Sequence, residues 1–161
     1  MKVLIVSDTH RRNENYLKIV EREQPLDLVI HCGDVEGSEY LIGEAAGCNT
    51  HIVLGNNDFF SYLPREKEFT LGKYHVFITH GNNYGVSLET SRLKSEAIYR
   101  KADIVMYGHT HRPEIEIQDN LTILNPGSLS YPRQWNREPS YIIMEIDQDG
   151  QAHYQIYYLE E

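Results

Sequence analysis

The chain has 161 residues, of which 40% are hydrophobic and 24% charged, with a formal net charge of −9 and a pI near 5.3. This length fits one domain over residues 1–161 with a core that needs no staple, and Cys32 and Cys48 read as reduced thiols in a cytoplasmic protein. The acidic balance excludes a partner gripped through many phosphates, such as long nucleic acid, because that binding runs on clustered Lys and Arg; one small phosphorylated molecule remains within reach of a few local cations.

In chain order, the first apolar run is "KVLIVSD" from Lys2, broken at Ser7 and Asp8 and too short for a signal-peptide core. No stretch approaches a membrane span. A helical pattern from Asn13 to Gln24 stops at Pro25, and "LDLVIHCGD" follows from Leu26. A second helix runs from Ser38 to Ala46 with Gly47 beyond it, then "THIVLGNND" from Thr50 and "YHVFITHG" from Tyr74. A third helix over Leu88 to Lys101 places Leu93, Ala97 and Ile98 on one side and leads into "ADIVMYGH" from Ala102. The apolar runs have the length and β-branched content of buried strands, and their alternation with helices predicts parallel crossovers.

After His111 the pattern becomes one of hairpins. "EIEIQDNLTIL" turns at Asp119 and Asn120, and "SYIIMEIDQDGQAHYQIYYLE" turns at Asp149 and Gly150 between alternating Ile142, Met144, Ile146 and Tyr154, Ile156, Tyr158. These predict a second, more antiparallel sheet packed on the first.

Five polar clusters stand where predicted strands end: Asp8 and His10 in "SDTH", Asp34 in "CGD", Asn56, Asn57 and Asp58 in "GNND", His80 in "THG", and His109 and His111 in "GHTH". Ligands of α/β sheets bind at the carboxyl ends of strands, so loops distant in sequence can converge on one crevice. Residues two apart in extended chain share a side, which would let Asp8 and His10 close on one metal and His109 and His111 straddle a pair of metals. Asp34, at a sharp turn, has two oxygens to bridge two cations. Two carboxylates, four imidazoles and one amide suit Mn²⁺, Fe²⁺ or Zn²⁺ better than ions that favour thiolate. Water on such an ion falls in pKa from ~15.7 toward ~7, so hydroxide is the expected nucleophile.

In this order, "DTH", "GD", "GNND", "HG" and "GHTH", with "LNPGSLSYPR" from Leu124 to Arg133, resemble the calcineurin-like metallophosphoesterase superfamily, in its small single-domain bacterial and archaeal phosphodiesterase branch. The resemblance implies an α/β fold of two packed mixed β-sheets flanked by helices, a four-layer α/β/β/α sandwich. It implies two divalent metal ions, Mn²⁺ foremost with Fe, Zn or Ni as alternatives, the first held by Asp8, His10, Asp34 and His111 and the second by Asp34, Asn56, His80 and His109. Hydrolysis of a small phosphoester follows, with phosphodiesters preferred to monoesters.

Asp58 resembles a residue that orients its neighbour. Asn57 departs from the histidine common at its position, and an amide has no proton to donate to a leaving group. Arg133 offers a guanidinium fork to phosphate, as do Arg11 and Arg12. His31 reads as a buried histidine supporting the ligands, and His51, His75 and His153 as strand or surface residues. The tyrosines, Tyr157 and Tyr158 among them, suit a core or a contact in a homo-oligomer. The alternative function is a non-catalytic scaffold, because a subunit of the retromer sorting complex resembles the same family in fold. A DNA nuclease would be expected to show a basic groove that this acidic chain lacks.

Overall fold

The first strand, β1 (Lys2–Val6), shows how the layers arise. Its side chains alternate between two fully buried faces: Val3 and Ile5 join one apolar cluster, while Leu4 and Val6 join another. Burial of such side chains stabilises by roughly 1.5–3 kcal/mol each, which accounts for an unbroken apolar run in place of an apolar-polar alternation. The structure, a computed structural model, describes residues 1–160.

Helix α1 (Glu14–Glu23) follows β1, then β2 (Leu28–His31), α2 (Glu39–Ala46) and β3 (Asn49–Ile52). β1, β2 and β3 pair in parallel, as expected for strands joined by helical crossovers. The next elements are β4 (Glu66–Leu71), β5 (Tyr74–Thr79), α3 (Ser91–Tyr99), β6 (Ile104–Met106), β7 (Pro113–Gln118), β8 (Leu121–Pro126), β9 (Ser140–Ile146) and β10 (Ala152–Tyr158). They complete two five-stranded sheets, ordered β10-β9-β1-β2-β3 and β4-β5-β6-β8-β7.

Val3, Ile5, Leu28 and Ile30 of one sheet meet Val76, Ile78, Ile104 and Met106 of the other in the central layer. Tyr16, Ile19 and Ile42 carry α1 and α2 against the outer face of the first sheet, and Leu93 and Ala97 hold α3 against Phe77, Val105 and Ile123 of the second. The result is the four-layer sandwich of two mixed sheets flanked by helices.

Both hairpins turn where the sequence places them, but they do not together form a second sheet. β7 and β8 extend the sheet containing β5 and β6, whereas β9 pairs antiparallel with β1 and brings β10 to the edge of the first. Alternation within a hairpin sets its local register and leaves open which sheet receives it. The strand β4 has no counterpart in the sequence reading. Its residues "EKEFTL" line an edge, half exposed and charged, where a strand needs no apolar run. Helix α3 begins at Ser91, three residues after the expected start, with Leu88 left exposed.

Candidate metal centre

The loops after β1, β2, β3, β5 and β6 converge at one edge of the sandwich, carrying Asp8 and His10, Asp34, Asn56 to Asp58, His80, and His109 and His111 respectively. Backbone hydrogen bonds tie the first two loops together, with Asp8 N donating to Gly33 O at 3.0 Å and His10 N to Asp34 O at 2.9 Å. The extended-chain geometry expected for Asp8 and His10 and for His109 and His111 is not what aligns them. All four, with Asp34, lie in turns at φ between 48° and 69°. This left-handed region is sparse for residues with side chains, although Asn, Asp and His enter it most readily.

Glycines allow the loops to approach closely. A Cβ on Gly55 would stand 2.1 Å from Asp34 Oδ1, and one on Gly108 would stand 2.6 Å from Asp8 Oδ2.

Two groups of potential ligand atoms result, each within 4.8 Å: Asp8, His10 and His111, and Asp8, Asp34 and His80. Asp34 Oδ2 lies 3.7 Å from His10 Nε2 and 3.4 Å from His80 Nε2, between the two groups. Asn56 Oδ1 faces His80 Nε2 at 2.9 Å and His109 Nδ1 at 3.0 Å. All seven residues expected as ligands are therefore brought together.

The tautomers reveal what this cluster lacks. His111 Nδ1 donates to Tyr131 O at 2.7 Å, His80 Nδ1 to Cys32 O at 2.7 Å, and His10 Nδ1 to Glu36 Oε1 at 3.3 Å. In the neutral rings each Nε2 then presents a lone pair inward. His10 Nε2 and His111 Nε2 face each other at 3.2 Å, and His80 Nε2 faces an amide oxygen. Asp8 Oδ1, 3.1 Å from His111 Nε2, is buried with no hydrogen-bond partner among the described residues. Acceptors opposed to acceptors repel, and an unpartnered buried carboxylate oxygen is costly unless positive charge sits among them.

The titration behaviour has the same origin. Burial opposes charge on Asp8, yet the imidazoles of His10, His111 and His80 around it hold its carboxyl well below the usual range. Burial opposes charge on His80 too, but Asp34, Asp8 and the Cys32 carbonyl raise it to about 9. His10 is raised against burial by Asp8, Glu36 and Asp34, while His109 is lowered by burial and by His80. The pocket is short of positive charge, and divalent cations on oxygen and nitrogen donors fit that need.

Supporting contacts hold the donors in place. Asp58 accepts from the backbone N–H of Asp34, Glu36 and Gly55 at 2.9, 2.7 and 2.7 Å, so it orders the whole loop around Asp34. Asn57 donates to both oxygens of Asp34, from its backbone N at 2.8 Å and from Nδ2 at 2.9 Å. In sequence Asn57 stands out only as a residue with no proton to give; its grip on Asp34 is a tertiary contact that no local pattern announces.

His31 is fully buried, as expected of a supporting histidine. Its Nδ1 accepts from Gly33 N at 3.1 Å, so Nε2 donates to Thr9 Oγ1 at 3.0 Å, linking the loops of Asp8 and Asp34. Burial lowers it to about 3, which keeps the ring neutral. His31→Phe keeps most of the volume and strands both partners, at a cost of about 2–3 kcal/mol. Thermal melting should fall by about 4–12 °C, and an unchanged melt would show that these bonds stabilise nothing.

The remaining candidates take ordinary places. Arg11 Nε donates to Glu36 O, Arg12 lies over the Tyr131 ring, and Arg133 lines the cleft beside His10 and His111. His51 stacks on Phe69, while His75 and His153 pair with Glu68 and Asp147. Cys32 and Cys48 are free, and no helix among the described residues is long and apolar enough to cross a membrane.

Known proteins resemble this chain in sequence and in fold. The Bacillus subtilis protein YsnB, named a probable metallophosphoesterase, is 34% identical over 151 residues, covering 93% of this chain and 87% of its own. Phosphodiesterase MJ0936 of Methanocaldococcus jannaschii is 34% identical over 145 residues, covering 79% of this chain and 83% of its own. A predicted phosphoesterase from Streptococcus pneumoniae superposes with a TM-score of 0.80 at 26% identity, covering 98% of this chain and 97% of its own. The fold is also that of Vps29 from Entamoeba histolytica, whose zinc complex superposes with a TM-score of 0.78 at 22% identity, covering 98% and 99% of the two chains. The model of the calcineurin-like phosphoesterase superfamily domain matches residues 1–149, and this chain belongs to that superfamily.

Proposed function

We propose that the protein is a dinuclear, metal-dependent phosphodiesterase acting on small phosphoesters. The observation that carries this reading is the pair of unmet acceptors in the cluster, where Asp8 Oδ1 is buried with no donor and the Nε2 atoms of His10 and His111 oppose each other. Asp8, His10, Asp34 and His111 would hold one ion, and Asp34, Asn56, His80 and His109 the other. Mn²⁺, Fe²⁺ and Zn²⁺ all suit this oxygen and nitrogen set, and the family resemblance puts Mn²⁺ first among them. When bound, such a pair supplies Lewis-acid stabilisation of the phosphoryl oxygens and acidifies water in the site.

The chain's own residues do the rest. Asn57 and Asp58 fix the Asp34 carboxylate and its loop, so the donors are set before substrate arrives. Arg133 projects from the loop whose backbone N–H donates to His111 O at 2.9 Å, and it is placed to bind a non-bridging phosphate oxygen in the cleft. The phosphodiesterase name of the Methanocaldococcus relative supports the diester preference.

The test is turnover of bis(p-nitrophenyl) phosphate by protein reconstituted in turn with Mn²⁺, Fe²⁺, Zn²⁺ and Ni²⁺. Hydrolysis is expected, and its absence with all four ions would overturn the reading. Arg133→Ala should lower kcat/KM by the equivalent of about 1.5–3 kcal/mol while metal content stays intact. An unchanged kcat/KM would return Arg133 to the solvated surface.

A further inference from the structure

Two guanidinium side chains line the cleft above the ligand cluster. The cleft has a volume of about 530 Å³; His10, Asn57 and His111 line it on the ligand side, and Arg133 and Arg137 come from the loop between β8 and β9. In a chain of net charge −9, two arginines are paired with carboxylates among the described residues, Arg22 with Glu23 and Arg100 with Glu66, Glu68 and Glu96, and the others, Arg133 and Arg137 among them, are not. The acidic side chains nearest in the loop and the cleft are engaged elsewhere, Glu138 by Asn136 Nδ2 at 3.1 Å and Glu36 by His10.

The loop is built to present these guanidiniums. Arg133, Trp135 and Arg137 are exposed, while the intervening Gln134 and Asn136 are half-buried and locked, with Gln134 Nε2 donating to Asn136 Oδ1 at 2.7 Å and to Glu138 O at 2.6 Å. Arg137 N donates to Gln134 O at 3.1 Å, and Arg137 itself sits at φ 53°, a conformation unfavourable for a residue with a side chain. One guanidinium suffices for the scissile phosphate. The second, four residues further along, is left without a role in the reaction as proposed.

We propose that Arg137 forms an anion subsite beside Arg133, selecting phosphoesters whose retained arm carries a second anionic group, a distal phosphate or carboxylate. The subsite rests on the phosphoesterase reading for the position of the scissile phosphate. A fork of donors on one face of an open cleft gives a charge-assisted contact to such a group.

Thymidine 5′-monophosphate and thymidine 3′,5′-bisphosphate serve as probes, titrated calorimetrically into the full-length Mn²⁺-loaded protein. The bisphosphate should bind about tenfold more tightly, Arg137→Gln should bring the two affinities together, and Arg137→Lys should retain part of the difference. Equal affinities in the wild type, or an advantage that persists in Arg137→Gln, would overturn the subsite. The p-nitrophenyl 5′-esters of the same two nucleotides share one leaving group. If neither turns over while the binding difference holds, the phosphoesterase reading fails and the anion subsite stands.

Discussion

Chelation of the metal-loaded protein should abolish turnover and lower the melting temperature together, and Mn²⁺ should restore both. Asp8, Asp34 and Asn56 follow strands of one sheet, and His80, His109 and His111 follow strands of the other, so bound ions would clamp the two layers at one edge. Metal at one hundred times its dissociation constant adds about 2.7 kcal/mol of stability, which corresponds to about 5–10 °C in a chain of this size. Asp34→Asn isolates the effect. Asn57 donates to both Asp34 oxygens, so the new amide must set a donor against a donor whichever way it turns. Metal content should fall with the rate, and the rate by at least about 100-fold, the upper end of what loss of a supporting contact costs at a metal site. Full activity in metal-free protein would refute the dinuclear reading.

The second large effect concerns the leaving group. Its departing oxygen needs a proton unless it leaves as a stable anion, and a general acid is typically worth ~10²- to 10⁴-fold. No imidazole or carboxyl group lining the cleft is free to donate, and the Tyr131 hydroxyl is the remaining O–H there. His10 and His111 are committed to the ligand cluster, Glu36 is bound to His10, and Asn57 is an amide turned toward Asp34. Aryl phosphodiesters should therefore be cleaved faster than alkyl monoesters, which also bring extra negative charge into an acidic protein. Asn57→His can keep the Asp34 contact through Nδ1–H, near where the amide nitrogen stands, and direct Nε2 into the cleft. The ratio of alkyl monoester to aryl diester turnover should rise by about tenfold or more, with metal occupancy measured alongside. If the wild type already cleaves alkyl monoesters as fast as aryl diesters, another proton donor exists and Asn57 is not the limitation.

The site was more legible in the sequence than the sheets that carry it. Asp8 and Asp34 follow parallel strands of one sheet and His80 and His109 parallel strands of the other, so strand endings brought each pair to an edge, while the ordered motifs of the family resemblance joined the two pairs into one site. β4 left no such trace, because an edge strand that opens on three successive charged residues, Glu66, Lys67 and Glu68, resembles a loop. The destination of the β9–β10 hairpin was equally hidden, since pairing with β1 joins residues about 140 positions apart by long-range contacts that no local period encodes. The roles of Asn57 and Arg137 depend on which way a side chain turns against a distant neighbour. Residue type can suggest such a role, but only packing decides it.

The left-handed turns at Asp8, His10, Asp34, His109 and His111 bear on how this centre can change over time. Aspartate, asparagine and histidine are the side-chain-bearing residues that best tolerate that backbone, and they are also oxygen and nitrogen donors for divalent ions. Two unrelated demands thus draw on one short alphabet. Exchange within it preserves the turn while altering charge at the ion, so metal preference can drift without refolding the loops. Glycine would relieve the backbone and delete the donor, which sets up an opposition in which the loops that fold most easily are those that have given up the chemistry.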